Sequence, residues 1–581
     1  MFAKKNLYLL CSFFFQFVAL SAQDQSGIAV KLAKNNQLDV IVVLNAKADL
    51  SDIKNINNKD LKAELVYRKL SATAKKSQRN ITDYLKQKQI PYRSFYIVNA
   101  IALKADIETY KWLIAQKEVY KIFEDIPVKL LDYKEEKSLP SLREPMPEWG
   151  IRRIGADSVW TMGYTGEGVV IGGQDTGYSW DVSPLKTKYR GYIDEDSVNH
   201  NYNWHDAIAE ISPLHNDTLT FPELNPCGLK SKTPCDDNNH GTHTMGTMVG
   251  SDADNIIGVA PNAVWIGCRN MERGYGKPST YIECFEWFLA PTDLEGENPE
   301  PSKAPDVINN SWGCPVMEGC NSENWEMMNE VIRNMKSAGI VVVVSAGNSG
   351  PSCSSVNSPA AMFAESFTVG ATRQNDTIAN FSSRGPVAVD ESFRLKPDVV
   401  APGVAVRSVV RNGSFRLFNG TSMAGPHVAG TVALMISANP ALRGKVELIE
   451  EILEKTAEPK TTEQDCGEYP GSEIPNAVYG HGRINALKAV EEALKYTNTA
   501  DVVQLDLKLF PNPAFDEITI TGNAQLNGTL RIFDSTGRLV QSEKLDNHNI
   551  KRLNLSNLDA GIYFLHLQNQ QYYFARTFIK L

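Results

Sequence analysis

The stretch Asn419 to Gly430, NGTSMAGPHVAG, decides how the rest of the chain is read. A serine lies between a glycine and a run of small apolar residues, with proline four positions after it. Ala424, Val428, Ala429 and Val432 read as the buried stripe of a helix, and Ser422 falls at its N-terminal, electropositive end. A serine hydroxyl is a weak nucleophile by itself. It needs an imidazole to take its proton and a carboxylate to hold that imidazole in the right tautomer. Two other glycine-flanked segments supply those groups: GGQDTGY around Asp175 and NNHGTHTMG around His240. Glycines there allow tight turns and close approach of a substrate backbone.

The order Asp175, His240, Ser422, with gaps of 65 and 182 residues, is that of subtilisin-type triads and not of the chymotrypsin or α/β-hydrolase orders. A GxSxG elbow is missing around Ser422. GTSMAGPHVAG resembles the nucleophile signature of the subtilase superfamily. That resemblance implies a serine endopeptidase acting by acyl transfer, with no cofactor required for the chemistry. It implies that Asn348, in VVVVSAGNSG, donates to the oxyanion together with the Ser422 backbone N–H. It also implies that Ser311, Trp312 and Gly313 (in NNSWG) form the edge that pairs with substrate, faced by Ser345, Ala346 and Gly347. Gly173, Gln174, Thr244 and Met245 depart from the residues usual in that family. They hint at a subgroup similar to bacillopeptidase F-like enzymes, as do Cys268, Cys284, Cys314 and Cys320.

Working outward, residues 149 to 496 alternate apolar runs (around Val169, Val264, Val307 and Ile340) with helical patterns. Such strands are buried on both faces, so an α/β fold with a helix-flanked parallel sheet is expected. Upstream, Leu38 to Leu44, a helix over 59–89, a strand pair over Tyr92 to Leu103, a helix over Glu108 to Gln116 and a strand over Glu118 to Phe123 make a split β-α-β-β-α-β unit. It resembles the inhibitor I9-type propeptide of subtilases, which implies an intramolecular inhibitor. Lys134 to Glu148 reads as an exposed, cleavable linker. Downstream, short alternating strands (Glu517 to Thr521, Thr529 to Asp534, Gly561 to Leu567, Phe574 to Ile579) read as a small all-β sandwich. LFPNPAFDEITI, RIFDSTGRLV and LNLSNLDAGIYFLHL resemble the type IX secretion sorting domain of Bacteroidetes, against a carbohydrate- or protein-binding sandwich as the alternative. The boundaries expected are 1–22 signal peptide, 23–142 propeptide, 143–500 catalytic domain with insertions near 183–226 and 269–305, and 501–581 sorting domain.

Composition agrees with an exported, folded chain. It has 581 residues, 42% apolar and 22% charged, too long for one domain and too apolar for a disordered one. With 59 basic against 68 acidic residues, for a net charge of −9, it has no basic tract for nucleic acid. Lys4, Lys5 and the apolar run Leu7 to Leu20 read as a signal peptide cut after Ala22; the run is short for a membrane anchor. Removing Cys11 leaves eight cysteines, which an oxidising compartment favours as disulfides. Local spacing suggests 227–235, 268–284, 314–320 and then 353–466, although eight cysteines allow 105 pairings. HGTH lacks the third ligand of a zinc site. Asp236 and Asp237 read as solvated loop acids or calcium ligands; structural calcium, common in that family, has no motif here, and the metal site stays unknown. His243 and His427 read as structural. The expected partners are protein or peptide substrates, the chain's own propeptide and the type IX secretion machinery, with a monomer, secreted or surface-attached, as the final product. Two rivals remain, a catalytically silent binding protein on the same fold and a lipase-like hydrolase.

Overall fold

The computed structural model describes residues 27–54, 56–130, 133–136, 146–215, 225–313, 322, 324–496, 503–504, 507–535, 538–568 and 572–581. The signal segment 1–22 and the pair Cys314 and Cys320 lie outside them. The described residues form two compact units, divided near residue 497. No described helix is long and apolar enough to cross a membrane.

The larger unit opens with strands β1 (Leu38–Leu44), β2 (Tyr92–Phe95), β3 (Ala100–Ala105) and β4 (Val119–Glu124), ordered β2-β3-β1-β4 and antiparallel. Helices α1 (Lys59–Ser77), α2 (Arg79–Gln87) and α3 (Ile107–Ile114) accompany them. Val40, Val42 and Leu44 of β1 share a core with Ile81, Leu85 and Leu113 from the helices. The single helix expected over 59–89 is interrupted at Gln78. Its amide is buried and donates to the Phe95 carbonyl (2.8 Å) and to Asn99 (3.0 Å), so the side chain that breaks the amphipathic pattern ties the helices to the hairpin.

Beyond this small sheet, seven parallel strands form the centre: β5 (Val170–Asp175), β6 (Trp204–Asp206), β7 (Val264–Arg269), β8 (Val307–Asn310), β9 (Val341–Ser345), β10 (Phe367–Thr372) and β11 (Val399–Pro402). Their order is β6-β7-β5-β8-β9-β10-β11. Helices α4 (His240–Val249) and α7 (Thr421–Ala438) lie on one face. Helix α5 (Pro278–Leu289) lies on the other, with α6 (Trp325–Ser337) beside it. The valines of β9 are buried throughout, as expected for strands covered on both sides.

Two departures from the family pattern are explained by packing. A Cβ on Gly173 would stand 2.4 Å from the Tyr178 hydroxyl and 2.9 Å from Met245, and one on Gly267 would stand 2.5 Å from the Tyr178 ring. These glycines face each other across β5 and β7, so together they form a shelf for one buried tyrosine. Gln174 is buried, but it is satisfied. Its carbonyl accepts from Asn270 (3.0 Å), its amide donates to Asn310, and Asn310 donates to the Val343 carbonyl (3.1 Å). This ladder of amides crosses the sheet from the end of β7 to β9.

Lys134 and Glu135 are exposed, as expected, but the segment Lys134–Glu136 does not run free. It is a strand paired antiparallel with Phe415–Asn419, with Lys134 opposite Asn419 and Glu136 opposite Leu417. Pro147 bridges to Ile256, and Glu148 pairs with Arg407 at 3.0 Å. Three disulfides, Cys227–Cys235, Cys268–Cys284 and Cys353–Cys466, match the spacing argument.

The smaller unit is an antiparallel, strand-rich region. Glu517–Asp534 pairs along its length with Leu539–Asn554, and also with Leu507–Phe510 and Gly561–Gln568; Tyr572–Lys580 pairs with the last of these. Ile518, Ile520, Leu530, Ile532, Leu565, Leu567, Phe574 and Phe578 face inward. The two short strands expected at 517–521 and 529–534 are one. Leu539–Asn554 escaped notice because its sequence (LVQSEKLDNHNIKRLN) is too polar to show alternation.

Candidate active site

Asp175 ends β5, and His240 begins α4. The two are brought together by a loop whose glycines have no alternative: a Cβ on Gly241 would meet the Gly177 carbonyl at 2.1 Å. The Asp175 Oδ1 accepts from the Thr176 N–H (2.8 Å) and from His240 Nδ1 (2.7 Å). Both side chains are buried. This bond fixes the imidazole with its proton on Nδ1, leaving Nε2, which has no hydrogen-bond partner among the described residues, as the basic nitrogen.

Ser422 lies in the first turn of α7, which packs against α4. Pro426 removes the N–H that would meet the Ser422 carbonyl four residues back. The orphaned carbonyl instead accepts from Ser311 Oγ at 3.0 Å, and the neighbouring Thr421 carbonyl accepts from Ser345 Oγ at 3.0 Å. Ser311 and Ser345 therefore seat the start of the helix. The Ser422 hydroxyl itself donates to the Ser311 carbonyl (3.1 Å), not to His240. A Cβ on Gly425 would stand 2.8 Å from Asn309 Oδ1, which is how the helix approaches the sheet closely enough for these bonds.

Asn348 follows β9. Its Oδ1 accepts from the Thr421 N–H (2.9 Å) and the Thr421 hydroxyl (2.9 Å), and that hydroxyl accepts from the Gly347 N–H (3.2 Å). With the oxygen so held, Nδ2 is aimed beside Gly420, 3.5 Å from where a Cβ would stand there. Ala346 donates its N–H to the Val369 carbonyl (2.9 Å), and Gly347 has φ +101°, a left-handed turn suited to glycine. Gly313 is buried three residues beyond β8. The Trp312 indole is buried, stacked on Tyr281 at 3.9 Å, which leaves the backbone as the part of this residue that could pair with a substrate.

Asp236 and Asp237 are neither solvated acids nor grouped as metal ligands. Asp236 Oδ1 accepts from Thr176 Oγ1 (2.9 Å), Asn238 N (2.9 Å) and Asn239 N (3.1 Å); Oδ2 accepts from Thr242 N (3.0 Å) and Thr242 Oγ1 (2.6 Å). It thus caps α4 and clamps that helix to the strand bearing Asp175. Asp237 pairs at 2.6 Å with the buried Arg269, which also donates to Asp206 at 3.0 Å. Burial pushes the Asp237 carboxyl up to about 7 against the pull of that arginine. Among the described residues no cluster of three or more His, Cys, Asp or Glu is arranged to hold a metal ion, so the calcium expectation gains no ligand set. His243 and His427 are buried and hydrogen-bonded to carbonyls, His427 Nδ1 to Met423 at 2.9 Å. Burial lowers them to about 3 and about 4, so both are neutral structural residues.

The propeptide resemblance implied an intramolecular inhibitor but did not single out which residues lie beside the triad. Val128–Lys129 pairs antiparallel with Tyr275–Gly276, and the Leu130 N–H donates to the Gly274 carbonyl (2.7 Å). Tyr133 then lies 5.0 Å from the His240 ring and 4.7 Å from the Phe418 ring, and its hydroxyl donates to Asn238 Oδ1 (3.0 Å). The chain leaves as the strand 134–136. The N-terminal sheet is anchored around it: Asp125 accepts from the Ser279 N–H (3.0 Å) at the start of α5, and Glu286 accepts from the Tyr96 and Ile97 N–H groups (2.5 and 3.0 Å). Nothing in the local pattern of 128–136 marks it as a groove-bound segment, although the capping Asp four residues before His240 was a legible signal.

Residues 166–482 match the Subtilase family, and residues 508–580 match the Secretion system C-terminal sorting domain. The chain is 37% identical over 451 residues to Bacillopeptidase F of Bacillus subtilis (strain 168), covering 74% of this chain and 28% of that protein. It is 30% identical over 315 residues to an Alkaline protease of Alkalihalobacillus alcalophilus (53% of this chain, 64% of that one). To Subtilisin E of Bacillus subtilis (strain 168) it is 29% identical over 358 residues (60% and 73%). The chain thus spans less than two thirds of the length of the first two relatives.

Proposed function

Because the chain belongs to the subtilase family, we propose that it is a secreted serine endopeptidase made as a self-inhibited zymogen, with Asp175, His240 and Ser422 as its triad. The observation that carries this reading is the buried 2.7 Å bond from His240 Nδ1 to Asp175 at the end of a parallel sheet, beside the helix that bears Ser422. The Ser422 hydroxyl turns from the Ser311 carbonyl to His240 Nε2, which takes its proton as Oγ attacks the scissile carbonyl. The Asn348 amide and the Ser422 N–H hold the resulting oxyanion. The imidazolium gives its proton to the leaving amine. Water, activated by the same histidine, then releases the acyl group. No step calls for a cofactor.

Residues 27–130 act as the propeptide. Their support is the course of the chain: it runs along Gly274–Gly276, passes His240 at Tyr133 and leaves along Phe415–Asn419. Such a course is that of a substrate crossing the catalytic groups, so autoprocessing falls between Leu130 and Lys134. The sorting-domain match supports export by the type IX route, to the medium or the cell surface. Ser422→Ala, made in a protease-free host, should stay full length and resist fluorophosphonate labelling, whereas the parent chain is cut in that window and labelled at Ser422. Equal processing of the two chains would refute the reading, and an unlabelled processed parent would favour a silent binding protein.

A further inference from the structure

We propose that the hollow beside His240 is a subsite for an aromatic side chain on the leaving-group side of the scissile bond, with tyrosine preferred because Asn238 accepts its hydroxyl proton. The proposal rests on the protease reading above and narrows its substrates to peptides that carry an aromatic residue just after the cut. The occupant in the structure is Tyr133. Its ring packs on the cluster of Val406, Val410, Phe418 and Met423, tilted 37° to Phe418 and 52° to His240. These are offset aromatic contacts of the favourable kind. Its hydroxyl reaches Asn238 Oδ1 at 3.0 Å.

Asn238 is not adventitious to the site. Its backbone N–H donates to Asp236 at 2.9 Å, the carboxylate that caps α4, so the main chain carrying the amide that reads the phenol is tied to the helix bearing His240. The backbone that follows Tyr133 is fixed as well, since Lys134 lies opposite Asn419 in an antiparallel pair and Asn419 is three residues from Ser422. The groups that meet Tyr133 here, Asn238, His240 and the cluster of Val406, Val410, Phe418 and Met423, all lie outside residues 27–130, so they stay in place when the propeptide departs. Tyr133 touches neither Ser311–Gly313 nor Ser345–Gly347 by ring contact or hydrogen bond, which separates it from the walls expected to hold the acyl side. The ion pair of Glu135 with Arg416 (3.1 Å) lies on the surface two residues later and adds little.

The test uses the processed full-length enzyme and quenched-fluorescent decapeptides with the sequence of residues 127–136, bearing Tyr, Phe or Ala at the position of Tyr133. Loss of one neutral hydrogen bond should make kcat/KM for the Phe peptide about three- to tenfold lower than for Tyr. Loss of the ring should lower the Ala peptide by roughly 30- to 100-fold. Asn238→Ala should bring the Tyr peptide down to the Phe peptide and leave the Phe-to-Ala ratio intact. Mass spectrometry should place the cut before the variable residue. Denatured casein serves as a general substrate. Casein cleavage with three equal peptide rates, with no peptide turnover, or with a cut after the variable residue, overturns the subsite. Failure to cut casein as well overturns the protease reading itself.

Discussion

Replacing Asp236 with alanine should uncouple His240 from Asp175 without touching either. The carboxylate accepts five hydrogen bonds from Thr176, Asn238, Asn239 and Thr242 and is itself buried. Loss of a helix cap alone costs about 1 kcal/mol. Here several donors would also be left buried and unpaired, at about 1–3 kcal/mol each before the loop relaxes. A total near 3–5 kcal/mol is expected, at the upper end for single substitutions. The clamp joins the strand of Asp175 to the helix of His240, so the pair should separate by a fraction of an ångström to an ångström, enough for about a hundredfold loss in kcat. Thermal unfolding measured in a Ser422→Ala background, to prevent self-digestion, gives the stability term; hydrolysis of a peptide by the Asp236 variant with Ser422 intact gives the rate. Asp236→Asn, which keeps Oδ1 but turns an amide toward both Thr242 donors, should fall between the two. If Asp236→Ala loses under 1 kcal/mol and retains its kcat, the clamp is not what aligns the pair.

Lys59, from the N-terminal unit, buries its ammonium 2.6 Å from the Ala304 carbonyl and 3.2 Å from Asp306. Lys59→Ala should weaken the hold of that unit by about 2–4 kcal/mol, since the buried Asp306 would lose one of its two cationic partners and keep Arg443 at 3.0 Å and the Val170 N–H at 3.0 Å. Activity should then appear sooner after self-cleavage in a time course, and an unchanged lag would count against it. Burial lowers His427 to about 4, below its unfolded value near 6.5. The stability it lends is therefore whole above pH 6.5 and lost as pH falls toward 4, by about 3 kcal/mol. His427→Asn should flatten that part of the stability curve; a parent-minus-variant difference that stays constant from pH 7 to 4 would contradict the burial argument. Deleting residues 508–581 should leave the enzyme in the periplasm, as fractionation would show, and normal export of the truncated chain would refute the sorting role.

The proposed triad was legible in the sequence because His240 and Ser422 sit in segments whose glycines are required by contact, as at Gly241 and Gly425. The sequence carried the parallel sheet because runs such as Val341 to Val344 admit few other uses. What it could not show depends on side-chain direction. The role of Ser311 follows from a carbonyl orphaned by Pro426, and the Trp312 indole is buried against Tyr281. The pairing of Lys134–Glu136 joins residues nearly three hundred positions apart, with a charged sequence that reads locally as solvated chain. Likewise Gln174 looked like an anomaly in an apolar strand until its partners on either side were in view.

That line of amides has an effect on the whole molecule. Strands made only of valine and isoleucine could slide past one another by two residues and bury nearly the same surface. Sliding β5 against β8 by that step would strip Gln174 and Asn310 of each other, and each lost contact would leave a buried donor or acceptor unmet, at about 1–3 kcal/mol. One alignment is therefore preferred over its near-equivalents. In that alignment the strands leading to Asp175, Ser311 and Ser345 all finish at the same height, so two uncharged side chains inside the sheet set the level of the proposed catalytic groups.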